Sequence, residues 1–263
     1  MKAAKLFWEK AHWLTRIPGI YRIYLGITNL LFPDGKVVLI RNGPLTGLKW
    51  QRFRCHQAWM AMGIYEPHVS QLIGNILQPG DIFYDIGANA GYFTLVAAQK
   101  VGSSGFVFAF DPVTLNSEVI KKQIALNDLG SFCKVEALAI SNHEGKAPFV
   151  IPSRNANAHL VDIAAPNVQA DGEIIEVKLT TLDQFVLNHP HPTLIKMDIE
   201  GAEVAALEGA NQLLSGPEAP VMLVSTHSVE LDARVKHILK KHGYGMINLS
   251  GFEQMVYARP NQS

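Results

Sequence analysis

The chain has 263 residues, 48% of them hydrophobic, enough to bury one substantial core as a catalytic domain with an extension or as two small domains. Acidic and basic residues balance at 23 each, so the chain lacks the basic footprint that a phosphate backbone requires, and nucleic acid is not expected as a partner. Cys55 and Cys133 allow one disulfide at most and no Cys-x-x-Cys metal spacing, which fits a reducing, cytoplasmic setting.

At the N-terminus Lys2, Lys5, Lys10, Arg16 and Arg22 interleave with Leu6, Phe7, Trp8, Trp13, Ile17 and Tyr21, a basic, aromatic, amphipathic pattern. It reads as a helix on a membrane surface or against a partner protein, or else as one packed on the main domain or used in a homodimer contact. Residues 17–32 are broken by Pro18, Arg22 and Asn29 and fall short of the ~20 apolar residues a bilayer core asks for. No small-residue cleavage site follows a clean apolar run, so a secretory signal is not expected. Residues 36–40 and 48–54 predict short strands around Asn42-Gly43-Pro44 and Gly47, a hairpin serving as a small lid or edge. Residues 1–62 are therefore expected as a helical extension with a small hairpin, and 63–263 as the main domain.

Apolar residues at helical spacing predict a helix over 66–77, ended by Pro79-Gly80. Strand 82–86, helix 92–101, strand 105–111, helix 117–127 and strand 134–138 follow, the βαβ rhythm of a doubly wound, mostly parallel sheet. A strand at 147–151 leads into a polar stretch, 152–172, that holds Asn155, Asn157 and His159. Structureless loops of ~20 residues are rare without a function, so this stretch is a candidate substrate lid and those three residues candidate substrate contacts. Strand 174–179, helix 181–187, strand 193–199, helix 202–214, strand 221–226 and helix 229–242 come next. Strands 245–249 and 254–258 close the chain around Ser250-Gly251, and such a terminal hairpin gives the sheet an antiparallel strand.

Asp85-Ile86-Gly87-Ala88-Asn89-Ala90-Gly91 follows a strand and opens a helix. Gly87 permits a tight turn, Gly91 lets the helix pack near the strand, and the helix start presents unpaired N–H groups to a ligand. Asn89 stands where nicotinamide enzymes place a second glycine for the pyrophosphate. Asp85 is expected to offer a carboxylate to a cationic ligand, which suits the ammonium or sulfonium of S-adenosylmethionine and repels a pyrophosphate. Asp111, at the next strand tip, can accept both ribose hydroxyls; alternatively it caps the following helix. Leu138 and Ala139, at the third tip, could form an adenine slot.

Further along, Leu194, Lys196 and Asp198 share one face of their strand, opposite Ile195, Met197 and Ile199. Lys196 is expected to be buried and to need a carboxylate, with Asp198, Glu200 or Glu203 in range. Asp198, near a strand tip, is assigned to acceptor positioning and proton abstraction. Glu200 and Glu203, at a helix start, are candidate substrate contacts, or else caps and ion-pair partners. His227, just past the next strand, is a candidate base or acceptor contact. Asp198 and His227 are too few to define a metal site, and none is expected.

These blocks carry a resemblance. The runs 80–92, Ala109-Phe110-Asp111-Pro112, Leu138-Ala139-Ile140-Ser141, Leu179-Thr180-Thr181-Leu182-Asp183 and above all Lys196-Met197-Asp198-Ile199-Glu200-Gly201-Ala202-Glu203 resemble the FkbM family of methyltransferases over about 63–226. Gly63-Ile64-Tyr65-Glu66 also looks like the segment that opens the family's domain and makes Glu66 a candidate cofactor contact. The resemblance implies the class I methyltransferase sheet, Rossmann-like and with an antiparallel C-terminal hairpin strand, S-adenosylmethionine as cofactor, and O-methylation of a small-molecule acceptor in natural-product or glycan tailoring. Where the family commonly has an acidic residue shortly before a histidine, this chain reads Ser225-Thr226-His227. The rivals are N-methylation or a protein- or lipid-directed methyltransferase of the same fold, a nicotinamide oxidoreductase, and a binding protein without catalysis.

Overall fold

Strands form where branched and aromatic side chains run uninterrupted. Ile82–Ile86 (β3), Phe106–Phe110 (β4) and Leu194–Met197 (β10) are buried on both faces, as inner strands of a parallel sheet must be. A computed structural model describes residues 33–53, 58–152, 159–160, 172–248 and 254–261, with the single positions 27 and 30. Before β3 come the hairpin strands β1 (Val37–Leu39) and β2 (Lys49–Gln51) and helices α1 (Ala58–Ala61) and α2 (Pro67–Ile76). Helix α3 (Tyr92–Val101) joins β3 to β4, and α4 (Thr114–Leu126) joins β4 to β5 (Cys133–Glu136). Next are β6 (Ala139–Ile140), β7 (Gly145–Pro152), β8 (His159–Leu160), β9 (Gly172–Thr180) and α5 (Leu182–Val186). After β10 follow α6 (Glu203–Glu208), α7 (Asn211–Ser215), β11 (Val221–Ser225), α8 (Val229–Lys241), β12 (Tyr244–Ile247) and β13 (Met255–Pro260).

The seven-stranded sheet has the order β12-β13-β11-β10-β3-β4-β5, parallel except for β13, which runs antiparallel to both neighbours. The terminal hairpin thus supplies the antiparallel strand that the sequence predicts. Side-chain alternation sends Phe83, Val107, Leu194 and Leu223 into one core and Tyr84, Phe108, Ile195 and Met222 into the other. The chain leaves β3 toward β4 and β5 on one side and returns to β10 on the other. A crevice therefore opens at the carboxyl ends of β3 and β10, where open α/β sheets bind ligands.

Two features go beyond the simple alternation of strands and helices. The strands at 147–151 and 174–179 do not join the parallel sheet but form a second, four-stranded sheet of order β6-β9-β7-β8, with β7 and β9 antiparallel. The exposure of Ile174, Glu176 and Lys178 on one face of β9 explains this, because a strand with one solvated face cannot serve inside a sheet covered on both sides. The helix expected over 202–214 is split at Gly209-Ala210. A Cβ at Gly209 would lie 2.1 Å from the Ser141 carbonyl oxygen, so the chain passes there only without a side chain. Asp183 then caps the second piece by accepting from the Gln212 and Leu213 N–H groups at 3.0 and 2.9 Å.

The hairpin β1–β2 is fixed to the main core. Gln123 of α4 both accepts from Gln51 N–H (3.0 Å) and donates to Gln51 C=O (2.8 Å), and Asn127 does the same for Lys49. Trp50 is buried edge-on against Tyr92, with ring centroids 5.8 Å apart. No helix among the described residues is long and apolar enough to cross a membrane. The basic, aromatic N-terminal run, Cys55, Asn155 and Asn157 lie outside the described residues, and of His159 only its backbone pairing with Val150 in β8 is described.

Candidate active site

The turn after β3 is shaped by what it must approach. Gly87 has φ +80°, and a Cβ there would lie 1.9 Å from the Asp198 carbonyl oxygen, so glycine is what lets the β3 and β10 tips touch. Two residues on, Asn89 adopts φ 53° and donates its backbone N–H to Asp111 Oδ2 at 2.9 Å. Asp111 also accepts from Val113 N–H (3.0 Å) and from Asn116 Nδ2. The turn therefore runs from Asp198 at one end to Asp111 at the other, along a cavity of about 350 Å³, a size suited to a nucleoside-bearing ligand.

The cavity's two ends differ in chemistry. Beyond Asp111 the lining is apolar: Val113, Leu138, Ala139, Ile140 and Phe149. Beside Gly87 it is charged: Glu66, Lys196, Asp198, Glu200 and His227, with Tyr65. Lys196 is 3% exposed, its Nζ 3.5 Å from Asp198 Oδ2 and 5.0 Å from the centre of the Phe93 ring. His227 Nε2 lies 3.0 Å from Asp198 Oδ1 and 3.5 Å from Glu200 Oε2.

Electrostatics follow from this packing. Burial pushes the Asp198 carboxyl up, but Lys196 and the His227 hydrogen bond outweigh it and hold it down at about 2. The same bond, against burial and with help from Glu200, raises His227 to about 9. For Lys196, burial lowers the pKa, and Asp198, Asp85 and Glu66 more than compensate, so it stays charged. Asp111 is pushed up to about 7 by burial, which its N–H and Asn116 partners offset only in part. These partners fix the carboxylate on the cavity wall, where a ribose hydroxyl would meet it.

Several expected contacts sit elsewhere. Asp85 does not reach the cavity; it is fully buried in register with Lys196 on the adjacent strand and accepts from Thr94 Oγ1 at 2.6 Å. Burial pushes its carboxyl up and Lys196 and Thr94 offset that only in part, and its absence from the cavity lining corrects the expectation that it meets a cationic ligand directly. Glu203, also fully buried, accepts from the N–H groups of Ile199 and Gly201, both at 2.9 Å. It braces the loop that presents Glu200 at φ 56° and is not itself a cavity wall. Gly91 packs under the turn, where a Cβ would meet Ile120 at 3.1 Å. Tyr65, Phe93 and Phe149, not anticipated, line the cavity, and burial, with Glu66 beside it, pushes the Tyr65 hydroxyl's pKa up. Of these only Tyr65 had a sequence signal, its place beside Glu66.

The sheet order, with its one antiparallel strand, and the site at the β3–β10 crevice define the class I methyltransferase fold. The chain belongs to the FkbM methyltransferase family, whose pattern, described as "Methyltransferase FkbM domain", matches residues 85–246. The match reaches further toward the C-terminus than the resemblance read from sequence and leaves Glu66 outside it. S-adenosylmethionine is the methyl donor of this domain, and the residues fit it: a buried carboxylate on the cavity wall at Asp111, an apolar slot beyond it, and a cluster of carboxylates at the other end to face a sulfonium. The Ribosomal protein L11 methyltransferase of Caldanaerobacter subterraneus subsp. tengcongensis is 26% identical over 104 residues, 39% of this chain and 33% of that protein. Methyltransferase sdnD of Sordaria araneosa is 26% identical over 155 residues, 49% of this chain and 60% of that protein. The chain thus spans a third to three fifths of the curated relatives it matches. The solved Methyltransferase FkbM from Methylobacillus flagellatus KT aligns at 16% identity and TM-score 0.48 over 77% of this chain and 53% of that one.

Proposed function

We propose that this protein O-methylates a hydroxyl of a small molecule such as a natural product, sugar or glycan, with His227 as the base that takes the hydroxyl proton and Asp198 as the group that orients it. The observation that carries this reading is the 3.0 Å contact between His227 and Asp198 at the carboxyl ends of adjacent strands, facing the cavity. S-adenosylmethionine, when bound, supplies a methyl group already activated on sulfur, so the residues need to align the acceptor oxygen, receive its proton and keep water out. Lys196 keeps Asp198 ionised from below, and Tyr65 and Phe93 wall the site. The charged end is rich in carboxylates around a single buried lysine, which repels phosphates and supports a small, non-nucleic acceptor. A cytoplasmic setting goes with this reading.

In the free protein His227 is protonated up to about pH 9. A positively charged donor in the cavity lowers that value, since a like charge disfavours the imidazolium. Binding of the cofactor therefore readies the base. His227→Ala and Asp198→Asn should each cut turnover by roughly 10²- to 10⁴-fold, with S-adenosylhomocysteine still bound in a calorimeter. Full activity in both variants would remove this site.

Asp198, Glu200 and His227 each offer one ligand atom, all within 4.8 Å of one another, a spacing that a divalent cation can bridge. We assign Asp198 and His227 instead to a hydrogen-bonded pair with Glu200 beside it, because Lys196 and His227 already balance Asp198. Activity should then survive dialysis against a chelator; loss restored by Mg²⁺ would reverse the assignment.

A further inference from the structure

Phe149 belongs to the second sheet, where it pairs with Ile175 of β9 and Leu160 of β8. It is 7% exposed and forms a small separate core with Val113, Ala139, Val177 and Leu179. Nothing in that role requires it to face the ligand, yet it lines the cavity, and among the described residues it is the one side chain of β7–β9 to do so. Its place there is set by a chain of contacts: Asp111 accepts from Val113 N–H, Val113 packs with Phe149, and Leu138 and Ala139 complete the wall. A ligand whose ribose hydroxyls meet Asp111 must send its other substituents toward either the charged end or this apolar one. The sulfonium belongs with the carboxylates, so the planar base falls against Phe149.

We propose that Phe149 is the adenine wall of the donor site, so that the inserted sheet selects the adenosyl group while the parallel sheet holds the ribose and the reacting methyl. The proposal rests on the placement of the ribose at Asp111. An aromatic face against a base is favourable for any base with a π-surface, and Val113 and Ala139 supply the close apolar contact that excludes water from the slot. Phe149 is thus a binding residue for the donor and takes no part in proton transfer.

Calorimetry on the full chain tests this with S-adenosylhomocysteine and with S-ribosylhomocysteine, which keeps the ribose and the amino acid but lacks the base, the latter by competition. Phe149→Ala should weaken S-adenosylhomocysteine on the order of tenfold and leave S-ribosylhomocysteine unchanged. Phe149→Leu, which preserves most of the packing, should show a smaller loss confined to the same ligand, and it serves if the alanine variant does not fold. Equal loss for both ligands would mean that Phe149 merely holds the second sheet, and no loss for either would place the base elsewhere; each overturns the proposal. Asp111→Ala should weaken both ligands. If it weakens neither, the ribose placement itself fails, an outcome distinct from failure at Phe149.

Discussion

The two ends of the cavity are built by different means. The charged end comes from adjacent parallel strands, where register alone stacks Asp85 beside Lys196 and brings Asp198 past the β10 tip toward His227 beyond β11. The apolar end is assembled from separate places: a residue after β4, the link from β5 to β6, and β7 of the inserted sheet. A register-built wall is stiff, and its members are coupled, so changes there should propagate among titrating groups. An assembled wall should lose one contact at a time, as the Phe149 and Asp111 variants test.

The sharpest way to break this contrast is at Lys196. Removing one partner from a buried ion pair leaves the other uncompensated, a loss of about 3–5 kcal/mol. Lys196→Met should therefore lower the denaturation midpoint strongly, and it should raise the Asp198 pKa, because burial would no longer be countered from below. Wild-type stability in this variant would mean that the charged end is not coupled.

A smaller effect lies in pH. His227 has a folded pKa raised from 6.5 to about 9, so the stability its pairing contributes is fully present below about 6.5 and lost as pH rises through about 9. Asp198 is depressed from 3.8 to about 2, so its contribution is present above about 3.8 and lost as pH falls through about 2. The pair is at full strength between those limits. Histidine resonances followed by NMR should show one ring titrating near pH 9 in the free protein. Asp198→Asn should return that ring toward 6.5, and S-adenosylmethionine should also lower it. A His227 midpoint near 6.5 in the unaltered protein would dissolve the pairing.

The sequence shows the frame and the charged end clearly, for a physical reason. Two-residue alternation and helical periodicity are local, so β3 and α3 fall at 82–86 and 92–101 as expected, and the shared face of Lys196 and Asp198 follows from strand geometry. Direction beyond the strand is not local. Asp85 and Glu203 look like ligand carboxylates in one dimension, and only register and loop closure turn them inward to Lys196 and to the Ile199 and Gly201 N–H groups. Phe149 is least legible. Its position depends on how β7 pairs with β9 and where that sheet lands, neither of which a strand pattern encodes.

The smallest predicted effect concerns a region that should matter to neither end. Gln123 closes the edge of β2 by bonding both the N–H and the C=O of Gln51, a side chain standing in for a neighbouring strand. Gln123→Leu leaves those two backbone groups without partners, a loss of about 1–2 kcal/mol if water reaches them poorly. The same helix meets the turn through Ile120, which touches the space above Gly91, so a loosened hairpin could in principle reach the donor site. The stiffness argued for the parallel sheet says that it does not. Chemical denaturation should register the lost stability, while the affinity for S-adenosylhomocysteine stays within a factor of about two, inside the ~0.5 kcal/mol expected of independent sites. A larger drop in affinity would show that the hairpin holds the glycine turn in place through α4, and that the charged end is less self-sufficient than its register implies.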